Sequence, residues 1–159
     1  MLQTAERNQL IEEIRRLPDL LERAVRGLAE EQLDMPYRDG GWTVRQVVHH
    51  LADAHMHAFL RMKRMLAEEH PTLQPYRQED WAALPDGARP PVDSSLAIVR
   101  GLHARWCVLL ENVEGTAWLR TAFHPERGDV TVESFLTIYA GHGRKHVRQI
   151  EDLKMSRSW

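Results

Sequence analysis

The sequence predicts an all-α protein, a four-helix bundle with long irregular loops between its helices. Apolar residues recur at three- and four-residue steps in four long stretches, Gly and Pro gather mainly between those stretches, and no segment alternates convincingly as a strand would. Packed on their apolar faces, four amphipathic helices make a bundle; an irregular all-α fold is the alternative, because periodicity fixes helices better than it fixes their packing. With 159 residues the chain suits a single domain spanning 1–159.

The first helix follows from Leu10, Ile11, Ile14, Leu17, Leu20, Leu21, Ala24, Val25 and Leu28, an apolar face with Glu and Arg between its members. Pro18 lies inside that pattern and lacks an amide donor, which predicts a kink or break near Leu17. The segment from Glu30 to Gly41 reads as a turn and a loop. Thr43 then stands as N-cap before VRQVVHHLADAHMHAFLRMKRML, the second helix. Between His70 and Pro91 the chain is too punctuated by Pro and Gly for regular structure, and a connection that long is often functional. Asp93, Ser94 and Ser95 are cap candidates for a third helix running to about Val113. Trp118 to Asp129 reads as a loop or short hairpin, after which helical spacing resumes through VTVESFLTIYAGHGRKHVRQIEDLK. Gly141 and Gly143 lie within this last helix, where each costs about 1 kcal/mol relative to Ala and so calls for a reason such as close backbone approach.

Composition narrows function. A net charge of -2 offers no global positive field for a phosphate backbone, so no nucleic-acid partner is expected. The charged amino terminus is unlike a secretory signal and no run could span a bilayer, so the expected setting is cytoplasmic, with no membrane partner. The single cysteine, Cys107, excludes an internal disulfide framework and any multi-cysteine zinc site, and its neighbours mark it as a buried small hydrophobe rather than a nucleophile.

Nine histidines are the unusual feature. His142 and His146, four residues apart on a helix, lie about 40° apart on one face and can grip one ion. The bland alternative is a solvated pair beside Arg144 and Lys145; against it, Phe135, Ile138 and Tyr139 on the preceding turns point that face inward. The second helix offers His49, His50, His55 and His57 as a third ligand, of which His49 and His50 are rotated by about 100° and cannot both face one site. Spacing alone does not choose between them. Three neutral imidazoles leave a position for water or substrate, as a catalytic rather than a closed structural metal site does.

The segments GGWTVRQVVHHLADAHMHAFLRMK, PYRQEDW, LHARWCVLLENV, FHPERGDVT and YAGHGRKHVRQIE, in that order from about Leu33 to Asp152, closely resemble the YfiT-like branch of the DinB superfamily. The resemblance implies a four-helix bundle, often a homodimer, acting as a metal-dependent hydrolase on a small-molecule substrate; a studied branch comprises bacillithiol S-transferases. It further implies one divalent metal ion, zinc or nickel, on three histidines, which fall here on His50, His142 and His146. Many relatives place another His just before the last ligand, where this chain has Lys145, so a supporting or proton-transfer role at that position does not carry over.

The implied chemistry is a cation that lowers the proton affinity of a bound group, either a bacillithiol-like thiol transferred to an electrophile or water for hydrolysis. A non-catalytic metal-binding or stress-response module, and a bundle whose histidines are incidental, are the rival classes. Asp53, three residues after His50, is either a hydrogen-bond partner of a ligand or a solvated acid. His57 either lines the cavity or sits at the core boundary, and His124 either belongs to a family loop motif or orders its loop. Trp42, Trp81, Trp106 and Tyr139 are expected to pack the core.

Overall fold

A computed structural model describes residues 1–159. In chain order it comprises α1 (Thr4–Val25), α2 (Glu30–Leu33), α3 (Val44–Ala67), α4 (Gln78–Ala82), α5 (Pro85–Ala88) and α6 (Asp93–Glu111). A 3-10 turn at Gly115–Leu119 then leads into β1 (Thr121–His124), β2 (Gly128–Thr131) and α7 (Val132–Arg157). The four long helices α1, α3, α6 and α7 form the predicted bundle. Both α1 and α3 pack on α6 and on α7, so the first two long helices of the chain stand diagonally across from each other. No helix is long and apolar enough to cross a membrane.

Two helix starts carry reciprocal caps. Thr43 Oγ1 accepts from the Gln46 amide at 3.1 Å while Gln46 Oε1 accepts from the Thr43 amide at 3.0 Å, and Thr131 and Ser134 do the same for α7. The cap predicted at Asp93 to Ser95 is not formed: Val92 occupies the N-cap of α6 and no side chain bonds there, because Ser95 Oγ is engaged with His49. The segment 70–91 is more ordered than its Pro and Gly content predicts. It contains α4 and α5, with Pro85 in the first turn of α5, where a missing amide costs nothing. Trp118 to Asp129 resolves as the hairpin option, β1 pairing antiparallel with β2 from Thr121 opposite Thr131 to His124 opposite Gly128.

The predicted break at Pro18 does not occur; α1 runs through it. Proline at this position leaves the Ile14 carbonyl without its helical donor, and His103 Nδ1 takes that role from α6 at 2.6 Å. Gly143 has the close approach its placement called for, since a Cβ there would lie 2.5 Å from Leu17 Cδ2 on α1. Gly141 does not: its Cβ would meet only the end of Arg144, at 3.9 Å.

The core is divided. One apolar cluster gathers Ile14, Ala58, Met62, Trp106, Phe135 and Ala140, and the other Leu17, Leu21, Leu51, Val99, Val147 and Ile150. On every long helix the change from one cluster to the other falls at the same level: between Ile14 and Leu17, between Ala52 and Ala58, between Val99 and Trp106, and between Ala140 and Val147. His55, His103, His142 and His146 fall within those intervals, and His50 borders the seam from the Leu51 side.

Candidate metal centre

Helices α3 and α7 bring three imidazoles to one point. The Nε2 atoms of His50 and His142 are 3.2 Å apart, those of His142 and His146 are also 3.2 Å apart, and one ligand atom from each ring lies within 4.8 Å of the other two. His50 and His146 are buried and His142 is half-buried. Burial, followed by the neighbouring His146, holds His50 down to about 3; burial, followed by His146 and His50, holds His142 down to about 2; burial also lowers His146, to about 4. All three rings are therefore neutral near pH 7.

The proton positions follow from a line of hydrogen bonds that ends at a carbonyl. The Ile14 oxygen can only accept, so His103 Nδ1 carries hydrogen. Burial keeps His103 at about 4, so the neutral ring has no second N–H and its Nε2 accepts from His55 Nδ1 at 2.9 Å. His55 is wholly enclosed and held well below the ordinary histidine value by burial and then by its imidazole neighbours; its Nε2 accepts in turn from His142 Nδ1 at 3.2 Å. His142 thus carries its single proton on Nδ1 and points a bare Nε2 lone pair at His50 and His146. On the other side, His146 Nδ1 donates to Gln149 Oε1 at 2.7 Å, which leaves the His146 Nε2 bare as well.

Two lone pairs consequently face each other across 3.2 Å with no hydrogen between them. That arrangement is repulsive alone and favourable around a cation. The residues present fit a divalent metal, and three neutral imidazoles suit zinc, nickel, cobalt or iron.

The cluster is reached from two sides. His50 and His142 line a cavity of about 440 Å³ together with Ala54, Arg61, His124 and Tyr139. They also line a second, of about 400 Å³, with Trp42, Arg38, Lys145 and His146. Trp42 lies against His50, ring centroids 4.5 Å apart, and its Nε1 donates to Glu79 at 2.8 Å, tying the segment around α4 to the centre.

Of the residues singled out in the sequence, His50, His142 and His146 converge. His49 turns away to Ser95 Oγ and the Pro90 carbonyl, which settles the choice spacing left open. Asp53 forms no hydrogen bond to any of the imidazoles; it is half-buried, and burial and then Asp86 raise its pKa. His57 stacks on Tyr76 at 4.4 Å and meets the edge of Trp81, at the boundary rather than in the cavity lining. His124 orders its loop, its Nδ1 accepting from the Glu126 amide, and it also lines the larger cavity, which the sequence did not indicate. Lys145 is exposed on the rim of the second cavity. Trp106 packs the core as expected and Trp42, partly buried, packs against one apolar cluster while also covering the centre, whereas Trp81 is 37% exposed and departs from the expectation. Cys107 is buried, and burial raises its thiol pKa.

In the sequence His55 is only a candidate third ligand and His103 has no assigned role; the line they form to the Ile14 carbonyl was not predicted. Their signal was present in Pro18: a proline inside a helix frees a carbonyl, and a buried carbonyl requires a donor from another element.

A four-helix bundle with three histidines meeting between two of its helices defines a class of protein rather than a single one. The comparisons narrow it: residues 13–150 match the DinB superfamily, and the chain belongs to that family. A protein of Oceanobacillus iheyensis is 45% identical over 152 residues, covering 96% of this chain and 88% of its own length. A protein of Bacillus mycoides is 46% identical over 149 residues, covering 94% and 86%. Both carry the name "Putative metal-dependent hydrolase". Among solved structures, YfiT from Bacillus subtilis superposes with a TM-score of 0.98 at 38% identity, over 100% of this chain and 91% of that one. It is described as a probable metal-dependent hydrolase with an unusual four-helix bundle topology.

Proposed function

We propose that this protein is a metal-dependent enzyme in which His50, His142 and His146 hold one divalent cation, zinc or nickel, and present a small thiol of the bacillithiol type to an electrophilic substrate. The observation that carries this reading is the pair of bare Nε2 atoms on His142 and His146, held face to face by hydrogen bonds on their far sides. When bound, such an ion supplies Lewis acidity that lowers the proton affinity of a group on its open side. The chain's own residues do the rest. His55 and Gln149 fix the orientation of two of the imidazoles, Trp42 shields the third from water, and the two cavities give separate approaches for two reactants.

A metal on three imidazoles would lower the proton affinity of a coordinated thiol and of coordinated water alike, so thiol transfer is put first on the resemblance to the YfiT-like branch rather than on the cluster itself. Hydrolysis is the second reading and rests on the names of the relatives. On either reading the working unit is a cytoplasmic homodimer acting on a small molecule.

The test is to load the protein with zinc or nickel and incubate it with bacillithiol and a test electrophile, then separately with ester and amide substrates. Thiol-dependent product formation supports transfer. Turnover of the ester or amide alone replaces it with hydrolysis, and metal binding without turnover in either assay makes the protein a binding module.

A further inference from the structure

Arg61 is a buried charge without a counter-ion. It is 7% exposed, its Nη2 donates to the Gln74 carbonyl, and its Nε has no partner. Arginines this enclosed are nearly always paired, because an uncompensated charge out of water is costly. The acids that share the larger cavity with it are committed elsewhere or remote from burial: Asp80 pairs with Arg77 at 2.9 Å, Glu79 accepts from Trp42, and Glu126 is exposed on the hairpin. The groups that feel the Arg61 charge are all uncharged aromatics. His124, His57 and Tyr139 each respond first to burial and then to Arg61, and the Tyr76 ring lies 5.9 Å from the guanidinium carbon.

Its position on α3 gives that charge a direction. His50, Ala54 and Arg61 lie along one stripe of the helix and all line the larger cavity, with the small Ala54 leaving room between them. Residues 50 and 61 are separated by about 16 Å of helix at 1.5 Å per residue, and helical side chains lean toward the amino terminus, which brings the guanidinium back toward the imidazoles.

We propose that Arg61 anchors a compact anionic group, a carboxylate or a phosphate, on a substrate whose reacting atom lies at the three-histidine centre. The proposal rests on the metal-enzyme reading for the second half of that statement and on the uncompensated guanidinium for the first. A carboxylate or phosphate entering the cavity would supply the missing counter-charge and accept hydrogen bonds from the fork, an interaction far stronger there than at an exposed arginine. Substrates lacking the anion would still reach the centre but would lose that anchoring.

The test uses the full chain, metal-free and zinc-loaded, and reads the side-chain Nε–H resonances of its arginines by 1H–15N correlation. Arg61→Lys removes one resonance and so assigns it. Succinate and inorganic phosphate are titrated at constant ionic strength, with succinamide as the uncharged control. A saturable shift of the Arg61 resonance with one or both anions and none with succinamide supports the anchor, and the tighter of the two names the preferred group. Arg61→Gln is expected to bind that anion at least tenfold more weakly while retaining one metal per chain and unchanged helical content. No saturable shift with either anion, or equal affinity in Arg61→Gln, overturns the proposal. Failure of zinc to bind the wild-type chain would instead overturn the metal reading, and the metal-free titration would still decide the fate of the anion anchor.

Discussion

The Ile14 carbonyl accepts a hydrogen bond from His103 Nδ1 at 2.6 Å, at the one place in α1 where Pro18 supplies no amide to meet it. An apparent defect in one helix therefore fixes which nitrogen of a histidine on another carries its proton. That choice is passed ring by ring to His142.

The coupling is measurable as a double-mutant cycle. His103→Ala strips the Ile14 carbonyl of its donor and opens a cavity, with an expected cost of about 3 kcal/mol in denaturant unfolding. In a Pro18→Ala background the residue at 18 regains an amide that can satisfy the same carbonyl, and the cost of His103→Ala is expected to fall by about 1 kcal/mol. Equal costs in the two backgrounds would show that the proline and the histidine act independently.

The proton assignment has a spectroscopic consequence. In metal-free protein at pH 7, 15N shifts of the imidazoles should place the hydrogen of His142 on Nδ1 and leave its Nε2 bare. His55→Phe removes the acceptor that holds this form and is expected to weaken metal binding by about 10- to 100-fold, with helical content preserved. Unchanged affinity would reduce His55 to a packing residue.

Removing an imidazole of the centre should act on binding rather than on folding. His142→Ala is expected to abolish stoichiometric metal uptake, read by elemental analysis after dialysis, while the circular dichroism of the bundle largely survives. A full metal complement in that variant would refute the role assigned to His142.

Acid should unfold the metal-free protein early. His50, His103, His142 and His146 are held at about 3, 4, 2 and 4 by burial, and His55 is also far below its unfolded value of about 6.5. Between those folded values and 6.5 the unfolded chain binds protons that the folded chain refuses. Stability is then complete above pH 6.5 and lost as pH falls through the window from 6.5 to 4, by up to about 1.4 kcal/mol per pH unit for each such ring. Urea midpoints at pH 7.5, 6, 5 and 4.5 check the slope. Zinc should steepen the loss over the same range, since protons and metal compete for the same lone pairs.

The two glycines of α7 make a contrasting pair. Gly143→Ala drives a methyl to 2.5 Å from Leu17 Cδ2 and is expected to destabilise by about 1 to 3 kcal/mol. Gly141→Ala meets nothing closer than 3.9 Å and is expected to stabilise by about 1 kcal/mol through helix propensity alone. Thermal melts of both variants should move in opposite directions.

The long helices were legible because each buries a stripe with a 3.6-residue period, and the Thr43 cap and the pairing of His142 with His146 are local patterns of the same kind. What escaped has a common cause. Of the cap candidates, Ser95 had a tertiary partner on α3 and Ser94 turned to the Pro91 carbonyl, and α1 ran through Pro18 with the freed Ile14 carbonyl satisfied by a histidine 89 positions beyond it. Local rules assume that a residue's hydrogen bonds stay local. Spacing could not choose between His50 and His49, which only the resemblance did, because the two groups that draw His49 away, Pro90 and Ser95, lie far along the chain. Trp81 was misplaced because aromatic character signals burial in general and says nothing of which surface does the burying.

The band of imidazoles that divides the apolar interior also has a say in how the helices line up lengthwise. Each long helix meets the band at one level, so sliding any of them by a turn would press a ring nitrogen into aliphatic neighbours and leave an aliphatic residue against the polar rings. Greasy cores alone tolerate such slippage; this one is notched, and the chain is locked into a single vertical alignment before any ion arrives.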